Sequence, residues 1–174
     1  MIEKLFDDLL GGLDQHGRDE FGLDWTEAVL SSLEGLREAY ECLTVNGRVP
    51  IDYSTLPTQA AYVFTYAIGR AEFTYQLLKR YRVSLGEPIF PNPEVRITSL
   101  GGGPGSEIAG VVKYILDPES GENVNSIEYW VLDKNAEWEN LCQSIVDDLS
   151  AFLPVKLVYA PLDLWDPMLA ANIP

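Results

Sequence analysis

Histidine and cysteine are scarce in this chain. Its 174 residues include one histidine, His16, and two cysteines, Cys42 and Cys142. Two distant cysteines make neither a disulfide framework nor a Cys/His metal quartet, and they suit a reducing compartment. His16 stands in the polar stretch QHGRDE and reads as a surface residue, with no Ser-His-Asp or Cys-His pairing to join. Basic residues are also few. Lys plus Arg number 12 against 27 Asp plus Glu, for a net charge of −15. Such a surface repels a phosphate backbone and argues against nucleic-acid binding by this chain alone. Long apolar runs are missing too, since none approaches the roughly 18 residues of a membrane span. The opening MIEKLFDDLLGG is acidic and amphipathic, without the basic start and apolar run of a signal peptide. The expected location is therefore the cytoplasm.

The charge is uneven. Residues 1–41 carry eleven acids and three bases, residues 42–106 four and six, and residues 107–174 twelve and three. The one basic knot is LLKRYR, with Lys79, Arg80 and Arg82, which reads as a solvated helix end where cations favour the negative pole. Hydrophobic residues make up 47% of the chain, enough for a packed core.

The pattern changes character near residue 85. Before it, helices are expected. A short one over 2–10 should stop at Gly11 and Gly12, with DQHGRDEFG as a loop. A second, capped by Asp24 or Thr26, runs to about Leu43, with Leu30, Leu33, Leu36 and Tyr40 as its apolar stripe. A third runs from Pro57, which suits a first turn, to about Tyr81. Its Tyr62, Tyr66, Phe73 and Leu77 share one face of a regular helix, which reads as the core of a helical subdomain. SLGEPIFPNPE, rich in proline, reads as a linker. After it, VRITSL, SIEYWVLD and VKLVYAPL read as strands, alternating with helices over GSEIAGVVKYIL and AEWENLCQSIVDDLSAFL. A β-α-β-α-β series of this kind calls for a parallel sheet with right-handed crossovers. The expected organisation is α/β, with a helical subdomain over 1–85 and a βαβαβ sheet domain over 86–174.

The stretch VRITSLGGGPGSEIAG joins a strand to a helix through glycines. Gly101, Gly103 and Gly105 let the backbone turn tightly and approach a ligand, and the helix starting near Ser106 points free N–H groups there. No lysine follows, so this is not a P-loop. Position 106 is serine, so G-x-G-x-x-G fails from Gly101, while G-x-G-x-G fits. Asp133 ends the second strand, and a carboxylate there suits a vicinal diol.

These features resemble the N-terminal half of a class I, Rossmann-like, S-adenosylmethionine-dependent methyltransferase, over residues 95–163. ITSLGGGPG is similar to that family's first motif and YWVLD to its second. The resemblance implies that Gly101, Gly103 and Gly105 lie against the methionine moiety and ribose of S-adenosylmethionine. It also implies that Asp133 accepts from the ribose hydroxyls and that Asp163 stands where the family often contacts the adenine amino group. Trp165 is a candidate to stack on the adenine, although cover for the sheet end is its plainer role. Ser99 stands where the family commonly has an acid, and Glu107 is a partial substitute. The family's sheet has about seven strands, and only three are read here.

Two functions follow from the resemblance. One is the cofactor-binding half of a methyltransferase, inactive alone, with residues 1–85 as a substrate-side cap and further strands from another segment or chain. The alternative is an acidic, non-catalytic protein-binding module, an inhibitor or regulatory subunit, on a degenerate methyltransferase fold. In the family's strand order the strand over 95–100 would become an exposed edge, implying a second chain or self-association there.

Overall fold

The computed structural model describes residues 1–43 and 51–164. They form two compact units, one spanning Glu3–Gly69 and the other comprising Met1–Ile2 and the chain from Arg70 on.

The first unit is helical. Helix α1 spans Ile2–Phe21, so the expected stop at Gly11 and Gly12 and the loop after it do not occur. A glycine weakens a helix by only about 1 kcal/mol, which tertiary burial readily offsets. Here Leu5, Phe6 and Leu13 are all buried. The polar tail of α1 is laced by i,i+4 pairs, Arg18 with Asp14 at 2.8 Å and Gln15 with Asp19 at 3.1 Å. Gly17 has its own reason, since a Cβ there would stand 2.3 Å from the Trp25 ring. Trp25 is buried, and its Nε1–H donates to Asp14 at 2.8 Å. Helix α2 spans Trp25–Leu43. Its core side is Trp25, Leu36 and Ala39, whereas Leu30 of the expected stripe is 56% exposed.

Helix α3, Leu56–Tyr62, passes through a π-turn at Val63–Ala67 into helix α4, Ile68–Leu85. The π-turn adds a residue to one turn, so positions after it fall out of phase with those before. This corrects the four-residue apolar face. Tyr62 is buried and packs with Tyr66 and Tyr53, while Phe73 and Leu77 are 68% and 53% exposed.

In the second unit, strand β1 is Glu94–Leu100, helix α5 Ser106–Leu116, strand β2 Ser126–Asp133, helix α6 Glu139–Ser150 and strand β3 Val155–Pro161. The sheet is parallel with order β1-β2-β3, pairing Val95 with Ile127 and Ile127 with Val155. This is a mixed α/β arrangement, helices followed by a three-stranded parallel sheet. Right-handed crossovers in this order put α5 and α6 on the same face, where they pack together. The core lies there, built from Ile127, Tyr129 and Val131 of β2, Ile108 and Val112 of α5, and Ile145, Val146 and Leu149 of α6.

Residues 70–85 of α4 are fastened to α5 by polar contacts. Gly110 of α5 allows a close crossing, since a Cβ would lie 2.2 Å from the Ala71 carbonyl oxygen. Lys113 meets Glu72 at 2.7 Å, and Lys79 meets Asp117 at 3.1 Å and Glu119 at 3.2 Å. Arg82 donates to the Ser120 carbonyl at 2.9 Å. Lys79 and Arg82 of the basic knot are thus a clamp on the turn after α5, while Arg80 is exposed as a solvated helix end would be. The proline-rich stretch is pinned as well. The N–H groups of Ile89 and Phe90 donate to Glu122 at 2.7 and 3.1 Å, and Tyr114 Oη donates to the same carboxylate at 2.8 Å. No helix among the described residues is long and apolar enough to cross a membrane.

Candidate functional site

The carboxyl ends of three parallel strands gather the sequence-predicted residues. Beyond β1 the ladder continues for one step, with Gly101 N–H donating to the Leu132 carbonyl at 2.7 Å. The chain then turns through Gly101, Gly103 and Gly105, all at positive φ, +65°, +51° and +78°, before α5 begins. Other residues rarely adopt that conformation, which accounts for the spacing of the three.

Their surroundings differ. Gly101 is exposed, and a Cβ there would meet nothing within 4 Å. Gly103 is buried against Trp138, whose ring would lie 3.8 Å from an added Cβ. At Gly105 an added Cβ would stand 2.6 Å from Cys142 Sγ and 3.2 Å from Tyr129. Of the three, only Gly101 opens its backbone to solvent. The other two admit close packing beneath the turn.

Asp133 ends β2 and is buried at 7% exposure. Gly103 N–H donates to its Oδ2 at 2.9 Å, so two of the predicted site residues touch directly. Asn135 donates to Oδ1 twice, through its N–H at 2.9 Å and its Nδ2 at 3.1 Å. The Asn135 carbonyl accepts from Tyr159 Oη of β3 at 2.8 Å. The Asp133 carbonyl accepts Leu162 N–H at 2.8 Å, which carries the chain to Asp163 at the same end of the sheet. Asp163 is exposed. Trp165 and the terminal LWDPMLA segment from that residue on lie outside the described residues.

The bonds to Asn135 make Asp133 the centre of an Asx turn rather than a cap on the helix that follows. Asn135 and Tyr159 escaped the sequence reading. The D-x-N spacing of Asp133 and Asn135 is a local signal that could have found the first. Nothing in the sequence places Tyr159 beside it.

Ser99, where an acid was expected by resemblance, accepts from Tyr129 Oη at 3.0 Å. Burial raises the Tyr129 phenol, and the Ser99 contact only partly offsets this. Burial, with Glu107 and Glu139 nearby, pushes the Cys142 thiol up to about 12, so it stays protonated and unreactive. Glu107, the proposed substitute acid, is turned towards Arg70, with Oε1 at 3.4 Å from Nη1, and its Oε2 is buried without a partner. His16, as expected, is a surface residue, 3.8 Å from Glu20. Among the described residues no group of His, Cys, Asp and Glu could hold a metal.

The chain matches no protein-family model, no curated protein and no solved structure.

Proposed function

We propose that the chain is an S-adenosyl-ligand-binding module of the Rossmann-like methyltransferase type, supplying the cofactor half of a pocket. One observation carries this reading: the glycine turn after β1 and the acid ending β2 are coupled by the 2.9 Å bond from Gly103 N–H to Asp133 at the carboxyl edge of a parallel sheet. That edge is where open α/β sheets take ligands.

The residues fit such a ligand. Gly101 presents open backbone, and Asp133 retains acceptor capacity for a ribose hydroxyl. Among the described residues this edge carries Asp133, Glu137, Glu139, Asp163 and, in the first turn of α5, Glu107, with Lys134 and the Glu107-paired Arg70 as cations, and that acidic excess suits a cationic sulfonium better than a pyrophosphate. Gly101, Gly103 and Gly105 would border the methionine moiety and ribose, Asp133 would take the ribose and Asp163 the adenine. The bound ligand would supply an electrophilic methyl, and the protein's contribution would be to orient it and exclude water. A strand from another segment or chain beside β1 would complete the crevice, so residues 1–174 alone are expected to bind without transferring methyl groups.

A second reading, the non-catalytic acidic protein-binding module, draws on the same bond. Gly103 and Asn135 already occupy most of the Asp133 carboxylate, as they would if the acid served only the fold.

Calorimetric titration with S-adenosylhomocysteine separates the two, since only the first expects specific binding. Asp133→Ala removes a charge-assisted hydrogen bond worth about 1.5–3 kcal/mol, a tenfold to hundredfold loss of affinity. Wild-type affinity in a folded Asp133→Ala protein would sink the assignment.

A further inference from the structure

We infer that Asp133 offers a ribose one acceptor position instead of two, and that Asn135 is the residue that imposes this. The inference rests on the S-adenosyl reading and sharpens it.

An ionised carboxylate has about four lone-pair positions, two on each oxygen. Among the described residues three donors reach Asp133. The N–H and Nδ2 of Asn135 both fall on Oδ1, at 2.9 and 3.1 Å, and fill it. Gly103 N–H takes one position on Oδ2, at 2.9 Å. A single position therefore remains, on Oδ2, beside the glycine turn. A vicinal diol presents two O–H groups and is gripped by both oxygens of an unencumbered carboxylate. Here only one of its hydroxyls has an acceptor on Asp133.

The arrangement is held from a distance. Tyr159 Oη donates to the Asn135 carbonyl at 2.8 Å, fixing the Asn135 backbone from β3 while its N–H is fixed by Oδ1. The Asn135 side-chain amide is the longer of the two contacts on Oδ1 and is half-buried. Removing that amide frees one position on Oδ1 and leaves the backbone bond in place. Asn135 is thus a positioning residue that sets which hydroxyl is read, without needing to touch the ligand.

The test uses the full chain and three ligands, S-adenosylhomocysteine and its 2′-deoxy and 3′-deoxy analogues, titrated calorimetrically. In the wild type one deoxy analogue should bind at least about tenfold more weakly than the parent, and the other within about twofold. In Asn135→Ala the analogue that was silent should lose about threefold to tenfold relative to the parent, because a second hydroxyl now finds Oδ1. Asn135→Ser, which keeps a short donor beside Oδ1, should restore the wild-type ratio. The comparison is a ratio between ligands on one protein, so a general loosening of the turn does not mimic it. Equal losses for both deoxy analogues in the wild type would show two-oxygen recognition and overturn the inference while leaving the S-adenosyl reading standing. An unchanged ratio in Asn135→Ala would remove Asn135 from the role. No binding of the parent ligand would overturn the reading and the inference together.

Discussion

Gly105 and Gly101 share a left-handed backbone but differ in what surrounds them, and that difference can be measured. A side chain at Gly105 meets both the φ of +78° and the Cys142 sulfur 2.6 Å away. Strain of that kind costs about 1–3 kcal/mol, and overpacking about as much again. Gly105→Ala is therefore expected to destabilise the protein by about 2–6 kcal/mol in denaturant unfolding. Gly101→Ala meets only its φ of +65° and should cost about 1–2 kcal/mol. Equal costs would mean that Cys142 and Tyr129 give way and that the packing argument is wrong. The G-x-G-x-G spacing and Asp133 were legible because a strand, a turn and a terminal acid are local patterns. The use made of the second and third glycines was not, because Trp138, Cys142 and Tyr129 come to them from α6, β2 and the short turn between them. The role of Ser99 was hidden for the same reason. Its partner, the Tyr129 hydroxyl, lies 30 residues away in sequence.

At the scale of elements, the strands and their helices were readable from period and turn residues, and β1, β2 and β3 stand within a residue or two of their expected bounds. The helices before them were less so. Gly11 and Gly12 look like stops but sit in open space on the outside of α1, where they cost little. The π-turn at Val63–Ala67 carries no signature that spacing arguments detect, and it separates the Tyr62 and Tyr66 positions from Phe73 and Leu77. What fastens residues 70–85 to α5 was also hidden, since ion pairs between distant segments have no period. Asp117 is the centre of that network. Its carboxylate accepts from Tyr75 Oη at 2.7 Å, from Glu119 N–H at 2.9 Å and from Lys79 at 3.1 Å. These bonds, that from Tyr75 foremost, bring its carboxyl from an ordinary 3.8 down to about 2. A folded value below the unfolded one means stabilisation that is present above the ordinary value and is lost as pH falls towards about 2. Lys79 is partly exposed, so solvent screening trims the effect to about 1–2 kcal/mol. Asp117→Asn should lower stability by that amount at pH 5–7, with the gap to wild type closing at the acid end. Matching denaturation curves for the two proteins at pH 5 would show that the network contributes nothing.

For the molecule as a whole, the feature that sets the next test is the sheet. Parallel sheets are ordinarily covered on both faces. Here one face carries α5 and α6, while on the other Arg96, Thr98 and Leu100 of β1 are exposed, Leu100 at 68%. Glu128, Trp130 and Leu132 of β2 are half-buried on that side. The order β1-β2-β3 also leaves β1, the strand that leads into the glycine turn, at an edge among the described residues. Edges of this kind are commonly blunted by charge. Arg96 of β1 is committed elsewhere. It pairs with Glu128 at 2.8 Å and lies over the Trp130 ring at 5.6 Å. In a parallel strand alternate amides point away from the paired neighbour, so β1 offers a row of donors and acceptors to a further strand. We expect that row to be occupied by another polypeptide segment, through a second chain or self-association. Two measurements decide it together: solution mass at micromolar concentration and hydrogen exchange of the amides of residues 95–100. The expected result is a species heavier than the 19.4 kDa chain, with those amides protected. A 19.4 kDa monomer with the outward amides of β1 exchanging freely would overturn coverage by a partner. A monomer with the same amides protected would assign the cover to another segment of this same chain.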